Sequence, residues 1–362
     1  MTTRAPVASS GGERTAADAG RIPPDGGPPI PPGVGALVIS LDFELHWGVR
    51  DTRAADGAYR ANLLGARRAI PLLLALFDAY GVAATWATVG FLFAATRPEL
   101  EAYSPRRRPE YRDRRLSPYA EPLGEDEAAD PLHYAAGLLR QIRATPRQEI
   151  GSHTFSHYFC LEAGADRAAF REDLRSAVAI AAASGVTLRS LVFPRNQHNP
   201  SYDDIVRDAG FACFRGNPRG WMYRASDQRG NTLPKRAGRL LDTYAPLAGA
   251  HLTRWRDVPR PSGLCDIPAS FMLKEAAAGG GAAQRARLGR IRRSLRRAAR
   301  EGAIVHLWSH PHNFGRHTAA GLDFLRAVLD EYAWCREHHG MLSLGMAEAA
   351  ALARAEVAHA GP

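Results

Sequence analysis

Short apolar runs alternate with longer amphipathic segments along this chain, and polar loops separate them. Residues 36–41 are almost entirely apolar, which predicts a buried strand. Residues 62–80 repeat apolar side chains at helical spacing, and Gly81 follows as the expected helix stop. Residues 82–89 form the next predicted strand. A strand, a helix and a second strand in this order predict parallel pairing of the two strands.

The same alternation continues to the end of the chain and predicts an α/β fold. In the helix that begins at Asp166, the aspartate side chain is expected to cap the first turn. Further predicted helices cover 132–144, 166–183, 201–209, 284–300, 318–336 and 346–359, and further predicted strands lie near 149–150, 187–193, 211–214 and 303–308.

Two segments interrupt this alternation and are interpreted as insertions. Residues 97–148 concentrate arginines and then acidic residues, as expected of a charged solvated loop or of a clamp on an anionic substrate. Residues 216–283 scatter tryptophan and tyrosine among arginine, proline and glycine. Those aromatic residues could contact substrate or pack as an ordinary loop. Gly279–Gly281 near the end of this segment predicts a flexible joint.

Polar side chains follow the predicted strands at the points where the strands end. In α/β folds the active site lies at the carboxyl ends of parallel strands, so these side chains are candidates for one site. They are Asp42 and Glu44 after the first strand, His153 and His157 after the strand near 149–150, Arg195 and Asn196 after the strand at 187–193, and His310 and His312 after the strand at 303–308.

His153 and His157 are four residues apart, in the stretch Gly151-Ser-His-Thr-Phe-Ser-His157. On a helical turn, residues at this spacing point the same way, so the two imidazoles could bind one divalent metal from one side. Two histidines and one carboxylate form a catalytic metal arrangement with positions left open for water and substrate. A second carboxylate, an arginine and a distant histidine would complete the groups needed to hydrolyse an amide.

Each of these residues also has a simpler interpretation when taken alone. Asp42 and Glu44 could form a strand-end turn, and the histidine pair could lie on the surface of a helix. His310 and His312 could be loop residues, and Asn196 could form a turn. Their joint placement at successive strand ends favours the functional interpretation.

The ordered set resembles the polysaccharide deacetylase family, the NodB-homology type related to carbohydrate esterase family 4. The resemblance spans roughly residues 35–345 and implies an irregular parallel (β/α)7-type barrel. The matching stretches are Leu37-Val-Ile-Ser-Leu-Asp42-Phe-Glu44, Gly81-Val-Ala-Ala-Thr85-Trp-Ala-Thr-Val-Gly90, Ser152-His-Thr-Phe-Ser-His157, Val192-Phe-Pro-Arg195 and Ile304-Val-His-Leu-Trp-Ser-His310-Pro.

The resemblance also implies a role for each matching residue. Asp42 would be the catalytic base, Arg195 the group that tethers it, and His310 the general acid, with His312 and His46 as alternatives. The metal ligands implied by the resemblance are Glu44, His153 and His157. Zinc is the expected divalent metal, with cobalt and nickel as alternatives.

Two motifs depart from the common family pattern. The family usually has two adjacent acids, whereas this chain has Asp42-Phe-Glu44, an acid-x-acid spacing that resembles a divergent subgroup. That subgroup includes deformylases that act on lipid-linked aminosugars. The spacing leaves open how Asp42 and Glu44 divide their roles. In the third motif, proline precedes Arg195 rather than following it.

The strongly basic composition indicates a negatively charged partner or an arginine-rich genome. The formal net charge is +10 and the isoelectric point is near 9.8. Phosphate-bearing sugars, acidic glycans, membrane surfaces and nucleic acid would all suit such a charge, although no base-reading motif is present. The predicted basic helix at 284–300 could bind an anionic membrane or phosphate group, or it could be an outer helix with a solvated face.

The amino-terminal residues and the cysteines bear on location. Residues 1–34 are rich in proline and glycine and are predicted to be a disordered tail before a catalytic barrel at 35–362. No apolar run has the length of a signal peptide or a membrane span, so a cytoplasmic location is expected, with peripheral membrane contact open. The four cysteines are widely separated, which predicts free thiols.

The sequence therefore predicts a metal-dependent hydrolase that removes an N-acyl group, foremost N-acetyl, from a sugar, a glycan or a lipid-linked sugar. The alternatives are a deformylase or a ureide C–N hydrolase of the same fold, and a non-catalytic barrel that binds carbohydrate or nucleic acid.

Overall fold

The structure is a computed structural model that describes residues 33–277 and 279–359. Its centre is a β-sheet. The predicted tail at 1–34 lies almost wholly outside the described residues. The strands are β1 (Ala36–Phe43), β2 (Ala84–Thr88), β3 (Gln148–Ser152), β4 (Ser190–Val192), β5 (Cys213–Arg215), β6 (Thr253–Arg254), β7 (Cys265–Asp266), β8 (Phe271–Met272), β9 (Ala303–Ser309) and β10 (Leu342–Leu344).

The sheet is curled and predominantly parallel. Its strands follow the order β6-β9-β1-β2-β3-β4-β5-β7, with β10 paired to β1 and β8 paired to β9. Every one of these pairings is parallel except β6 with β9. The run from β9 to β7 supplies seven parallel strands, so the predicted irregular (β/α)7-type barrel is confirmed.

Helices connect the strands close to the predicted positions. The predicted helix at 62–80 begins two residues earlier, and Gly81 ends it in the left-handed conformation with φ 62°. The side chain of Asp166 accepts hydrogen bonds from two backbone amides and caps the helix after it, as predicted. The helices are α1 (Arg60–Tyr80), α2 (Arg97–Tyr103), α3 (Ala136–Ala144), α4 (Arg167–Ala183), α5 (Asp203–Asp208), α6 (Leu233–Asp242), α7 (Ala282–Glu301), α8 (Thr318–His339) and α9 (Met346–His359).

Strand β1 is buried on both faces, which explains why its sequence shows no polar alternation. One face carries Leu37, Ile39, Leu41 and Phe43, which join the main core with residues of the surrounding helices. The opposite face carries Ala36 and Val38, which pack in a second core with α9. Ser40 and Asp42 lie on the same face as Ala36 and Val38, closer to the carboxyl end of β1.

Helix α9 packs against the interior of the sheet, and polar residues satisfy its amino-terminal amides. The Thr85 hydroxyl accepts a hydrogen bond from the backbone N–H of Met346 at 2.8 Å. The carboxylate of Glu149 accepts from the backbone N–H of Ala347 at 3.2 Å and from the hydroxyls of Thr85 at 2.7 Å and Ser190 at 2.5 Å. A carboxylate at a helix amino terminus is also favoured by the helix dipole.

The two segments predicted as insertions contain secondary structure of their own. Residues 97–148 hold α2, α3 and two short 3-10 helices. Two arginines of this segment form exposed ion pairs, Arg107 with Asp166 at 3.2 Å and Arg115 with Asp113 at 2.8 Å. Residues 216–283 contribute α6 and the short strands β6, β7 and β8.

The cysteines are free and buried, as predicted for thiols packed as small apolar groups. In the described ranges, none of the helices combines the length and the apolar character needed to cross a bilayer.

Candidate active site

The predicted site residues gather at the carboxyl edge of the parallel sheet. Asp42 lies near the end of β1, His153 directly follows β3, and His310 directly follows β9. Arg215, which was not predicted, is the last residue of β5 at the same edge. Because these strands are parallel, their ends meet on the same side of the sheet.

The acid-x-acid spacing places two carboxylates in the same site. Successive side chains of a strand point to opposite faces, so Asp42 and Glu44 share a side while Phe43 points away into the core. Asp42 is 3 % exposed and Glu44 is 4 % exposed. His310 Nε2 lies 3.7 Å from Asp42 Oδ2 and 3.5 Å from Glu44 Oε1, so it contacts both acids.

The histidine pair does not lie on a helical turn, and that expectation was wrong. The chain leaves β3 in an irregular loop in which Thr154 has φ 62° and His157 has φ 56°. The buried carboxylate of Asp173 holds this loop by accepting hydrogen bonds from the backbone N–H groups of Phe155 at 2.7 Å and Ser156 at 3.1 Å, and from the Ser156 hydroxyl. The two imidazoles converge because of this backbone path rather than because of helical periodicity.

The converging atoms of Glu44, His153 and His157 fit a divalent metal. Glu44 Oε2 lies 3.3 Å from His153 Nε2 and 3.2 Å from His157 Nε2. Ligand atoms that share one tetrahedral ion at zinc-like bond lengths are about 3.4 Å apart. All three side chains are buried, and their candidate ligand atoms lie within 4.8 Å of one another.

The hydrogen bonding of His153 supports the same assignment. Its Nδ1 donates to the carbonyl oxygen of Val192 at 2.8 Å, so the neutral ring turns the lone pair of Nε2 towards Glu44. A lone pair and a carboxylate oxygen repel unless a cation lies between them or the ring is protonated. This carbonyl partner fixes the tautomer in the way that is usual for metal-bound histidines.

Burial and neighbouring charges set the protonation states of the other two ligands. Burial lowers the pKa of His157 to about 4, so its ring is neutral at neutral pH and has a nitrogen free to bind a metal. Burial alone would raise the pKa of Glu44. The neighbouring imidazoles, His310 first and then His153 and His157, outweigh it and hold that pKa well below its usual value.

Gly48 leaves the space that the Glu44 carboxylate occupies. A Cβ atom added at Gly48 would lie 1.9 Å from Glu44 Cδ and 2.0 Å from Oε1. No side chain fits at these distances, so Gly48 is required for the observed position of the carboxylate.

Arg215, and not Arg195, binds Asp42, which corrects the expectation for Arg195. The guanidinium of Arg215 donates to both carboxylate oxygens of Asp42, at 2.6 Å and 2.7 Å. It also donates to the Ser40 hydroxyl at 2.9 Å and to Asn196 Oδ1 at 3.0 Å. Burial would raise the pKa of Asp42, but Arg215, followed by His153 and His310, lowers it below the usual value.

Arg195 lies in a neighbouring cluster. It donates a hydrogen bond to Asp51 and lies 3.8 Å from Glu162, and its guanidinium carbon is 4.3 Å from the ring centre of Phe159. Arg215 was not predicted because no sequence motif marks it. The available signal was its position directly after the predicted strand at 211–214, at the same sheet edge as the other site residues.

The three histidines considered as the general acid have different surroundings. The His310 side chain is 18 % exposed, so it can reach a substrate. His312 stacks on it with ring centres 4.7 Å apart, and burial lowers the pKa of His312 to about 3. His46 contacts His133 and the backbone oxygen of Arg53 through its two ring nitrogens, each at 2.9 Å. His310 is therefore the best placed of the three beside Asp42 and Glu44.

The chain is similar to known proteins in part of its sequence and in its fold. Residues 63–214 match the family model described as polysaccharide deacetylase. Over these residues the chain is similar to the polysaccharide deacetylases. That similarity indicates a hydrolase that acts on linear amide C–N bonds. Curated proteins, by contrast, show no match to this sequence.

Several solved structures share the fold of this chain. One, from Mycobacterium smegmatis and assigned as a polysaccharide deacetylase, has a TM-score of 0.57 at 16% identity, with 91% of this chain and 94% of that chain covered. PuuE allantoinase has a TM-score of 0.53 at 13% identity, with coverage of 95% and 96%. A protein from Pseudomonas aeruginosa PAO1, also assigned as a polysaccharide deacetylase, has a TM-score of 0.50 at 13% identity, with coverage of 87% and 88%.

The family match covers only part of the candidate site. It includes His153, His157 and Arg195 but ends one residue before Arg215. Asp42, Glu44 and His310 also lie outside the matched residues, so the fold rather than the family match joins them to the histidine pair.

Proposed function

We propose that this chain is a metal-dependent hydrolase that removes an N-acyl group, foremost N-acetyl, from a sugar or polysaccharide. The observation that carries the proposal is the buried carboxylate of Glu44 between two imidazole nitrogens, at 3.2 and 3.3 Å, beside a second carboxylate held by an arginine. Metal-assisted amide hydrolysis uses a bound electrophilic ion, a base and an acid, and this set of side chains can hold the ion and provide the base and the acid.

Glu44, His153 and His157 would hold the metal, with zinc foremost and cobalt or nickel as alternatives. When bound, such an ion lowers the pKa of water and polarises the acyl carbonyl.

Asp42 and His310 would move the protons of the reaction. Arg215 keeps Asp42 ionised and fixes both of its oxygens, so the carboxylate is ready to accept a proton from the attacking water. His310 is partly exposed at the same edge and would donate a proton to the departing amine. The amine must leave protonated, because an amide anion is a poor leaving group.

The experiment that tests the proposal starts with the metal content of protein purified without added metal and without a chelating tag. We expect about one divalent ion per chain, lost together with acetate release from N-acetylated sugars in His157→Ala. His338→Ala is the matched control, because His338 is an exposed histidine on α8 that stacks on Trp334. Retained metal and turnover in His157→Ala would refute the assignment.

A second candidate within the same reaction class is hydrolysis of a formamide on a lipid-linked sugar or of a small ureide. The acid-x-acid spacing of Asp42 and Glu44 supports it, because that spacing resembles the subgroup that includes deformylases of lipid-linked aminosugars. The similarity to PuuE allantoinase shows the shared fold alone. Measuring formate besides acetate, together with consumption of a cyclic ureide, separates the candidates. Release of formate would favour the deformylase, and ring opening of the ureide to a ureido acid would favour the other.

A further inference from the structure

A pocket of about 860 Å³ adjoins the candidate active site. Asn196 and Trp308 form part of its wall and also contact Arg215. Asn196 Oδ1 accepts a hydrogen bond from Arg215 at 3.0 Å, and the Trp308 ring centre lies 4.4 Å from the Arg215 guanidinium carbon. The ring centres of Trp308 and His310 are 5.6 Å apart. A substrate with its acyl group beside His310 could therefore extend into this pocket.

The pocket carries an excess of positive charge. Seven lysine and arginine side chains line it, against two aspartates. One of these aspartates, Asp242, already accepts hydrogen bonds from Tyr223 at 2.7 Å and the backbone N–H of Ala248 at 2.8 Å, and contacts His251 at 2.7 Å and Arg290 at 3.3 Å. It therefore compensates Arg290 and has little capacity to neutralise other cations.

Lys274 and Arg287 are two half-buried cations of this pocket that remain uncompensated. Among the residues described by the structure, neither has a carboxylate oxygen within 4 Å. Lys274 Nζ donates only to the Thr243 hydroxyl at 3.1 Å, and Arg287 donates to the backbone oxygen of Lys274 at 3.1 Å. Burial and then the charge of Arg287 lower the pKa of Lys274. Cations that are half-buried normally have a carboxylate partner, so an anionic ligand is expected here.

A third donor lies beside them. Arg290 is 4 % exposed, and its Nε is buried without a hydrogen-bond partner in the described structure. Two uncompensated charges and several N–H donors match a phosphate dianion better than a single carboxylate, which carries one charge.

We propose that this pocket binds a phosphate or diphosphate group carried by the acylated sugar. The sugar part of this inference rests on the proposed function, whereas the phosphate site stands on Lys274, Arg287 and Arg290. The carrier could be a nucleotide or a lipid. A lipid is included because exposed leucines at and after the pocket wall offer apolar surface to its chain. Leu240 lines the pocket and is 53% exposed, and Leu241 and Leu247, which follow it in the sequence, are 60% and 59% exposed.

The test measures binding of inorganic pyrophosphate to the metal-loaded protein by isothermal titration calorimetry. Lys274→Gln and Arg287→Gln keep a polar side chain and remove its charge. Each should weaken binding roughly 10- to 100-fold, which corresponds to one lost charge-assisted hydrogen bond. Arg285→Gln is the matched control, since Arg285 is an exposed arginine two residues before Arg287 on α7 and does not line the pocket.

Three results would overturn the proposal. Pyrophosphate could fail to bind. Its affinity could also be unchanged in both glutamine variants, which would indicate that pyrophosphate binds to the metal instead. Glucuronate could also bind as tightly as pyrophosphate, which would identify a carboxylate site. Thermal unfolding of the variants checks that they are folded. Because the titration needs no turnover, it can succeed or fail independently of the deacylase assignment.

Two further arms identify the carrier of the phosphate. Displacement of pyrophosphate by UDP-N-acetylglucosamine would support a nucleotide sugar. Pyrophosphate-sensitive binding to phosphatidylcholine vesicles doped with polyprenyl phosphate would support a lipid-linked sugar. A faster deacetylation of N-acetylglucosamine 1-phosphate than of N-acetylglucosamine, lost in Lys274→Gln, would connect the site to the reaction.

Discussion

Replacing Arg215 by methionine removes the guanidinium that binds Asp42 and keeps an unbranched side chain of similar length. Arg215 donates four hydrogen bonds, two to Asp42 and one each to Ser40 and Asn196. Its side chain is fully buried, and that of Asp42 is 4 % exposed. Solvent therefore cannot replace the lost partner, and a buried carboxylate remains without its cation.

The expected cost follows from this burial. Removing one partner of a buried ion pair costs about 3–5 kcal/mol, because the remaining charge stays desolvated. Arg215 lowers the pKa of Asp42, so the pair stabilises the fold above the unfolded pKa of the aspartate, and this contribution is lost as the pH falls through the lower folded value. In the variant the pKa of Asp42 rises, and the base is protonated over a larger pH range.

Two measurements check this reasoning on Arg215→Met, with Arg195→Met as the matched control. Urea unfolding at neutral pH should show the loss of stability. The pH profile of kcat/KM should show its acidic limb moved to higher pH, with turnover at neutral pH reduced roughly 10²- to 10⁴-fold if Asp42 is the general base. Arg195 binds Asp51 instead, so its variant should keep the acidic limb in place. An unchanged acidic limb in Arg215→Met together with a shifted limb in Arg195→Met would refute Arg215 as the partner of Asp42.

Three further predictions concern neighbouring parts of the site. Gly48→Ala should displace the Glu44 carboxylate, because the added Cβ would lie 1.9 Å from Glu44 Cδ. A metal titration should therefore show a lower metal affinity although every ligand is present, and an unchanged affinity would contradict this prediction. Burial raises the pKa of Asp173 to about 6 from 3.8, so its contribution to stability is complete below the unfolded value and lost as the pH rises through about 6. In urea unfolding across this pH range, the free energy of unfolding of Asp173→Asn should no longer change with pH in this way. Identical pH dependence in the variant and the unaltered protein would contradict the prediction. His310→Asn should reduce kcat by roughly 10²- to 10⁴-fold, because a general acid is lost. His312→Asn should retain far more activity. Equal losses of kcat in the two variants would reject His310 as the sole general acid.

The fold could be predicted from the sequence because its signals are local and mutually consistent. Helix α1 ends at Gly81, the glycine that the hydrophobic pattern marked as its stop, and Asp166 caps α4 as expected. Both signals depend on chain neighbours only. The short strands β6, β7 and β8 were not predicted, since they pair through sheet neighbours that are distant in sequence, and their two residues each show no periodicity.

The candidate site was predictable where a motif places side chains at strand ends. Asp42, Glu44 and His310 converge as expected because parallel strands bring their carboxyl ends together. The partner of Asp42 was not predictable in the same way. Arg195 and Arg215 both follow strands, and which of them reaches Asp42 depends on backbone direction at the end of β4.

The backbone conformation at that point explains the difference. Arg195 and Asn196 have φ of 54° and 53°, in the left-handed region that non-glycine residues rarely adopt. This turn directs Arg195 towards Asp51 and leaves the Asn196 side chain against Arg215. His157 has the same unusual conformation with φ 56°. Each such residue costs on the order of 1–3 kcal/mol and persists only where its surroundings hold it. Since none of these residues is glycine, the sequence carries no mark of the turns that build the site, and the i, i+4 spacing of the histidines predicted the correct convergence for the wrong reason.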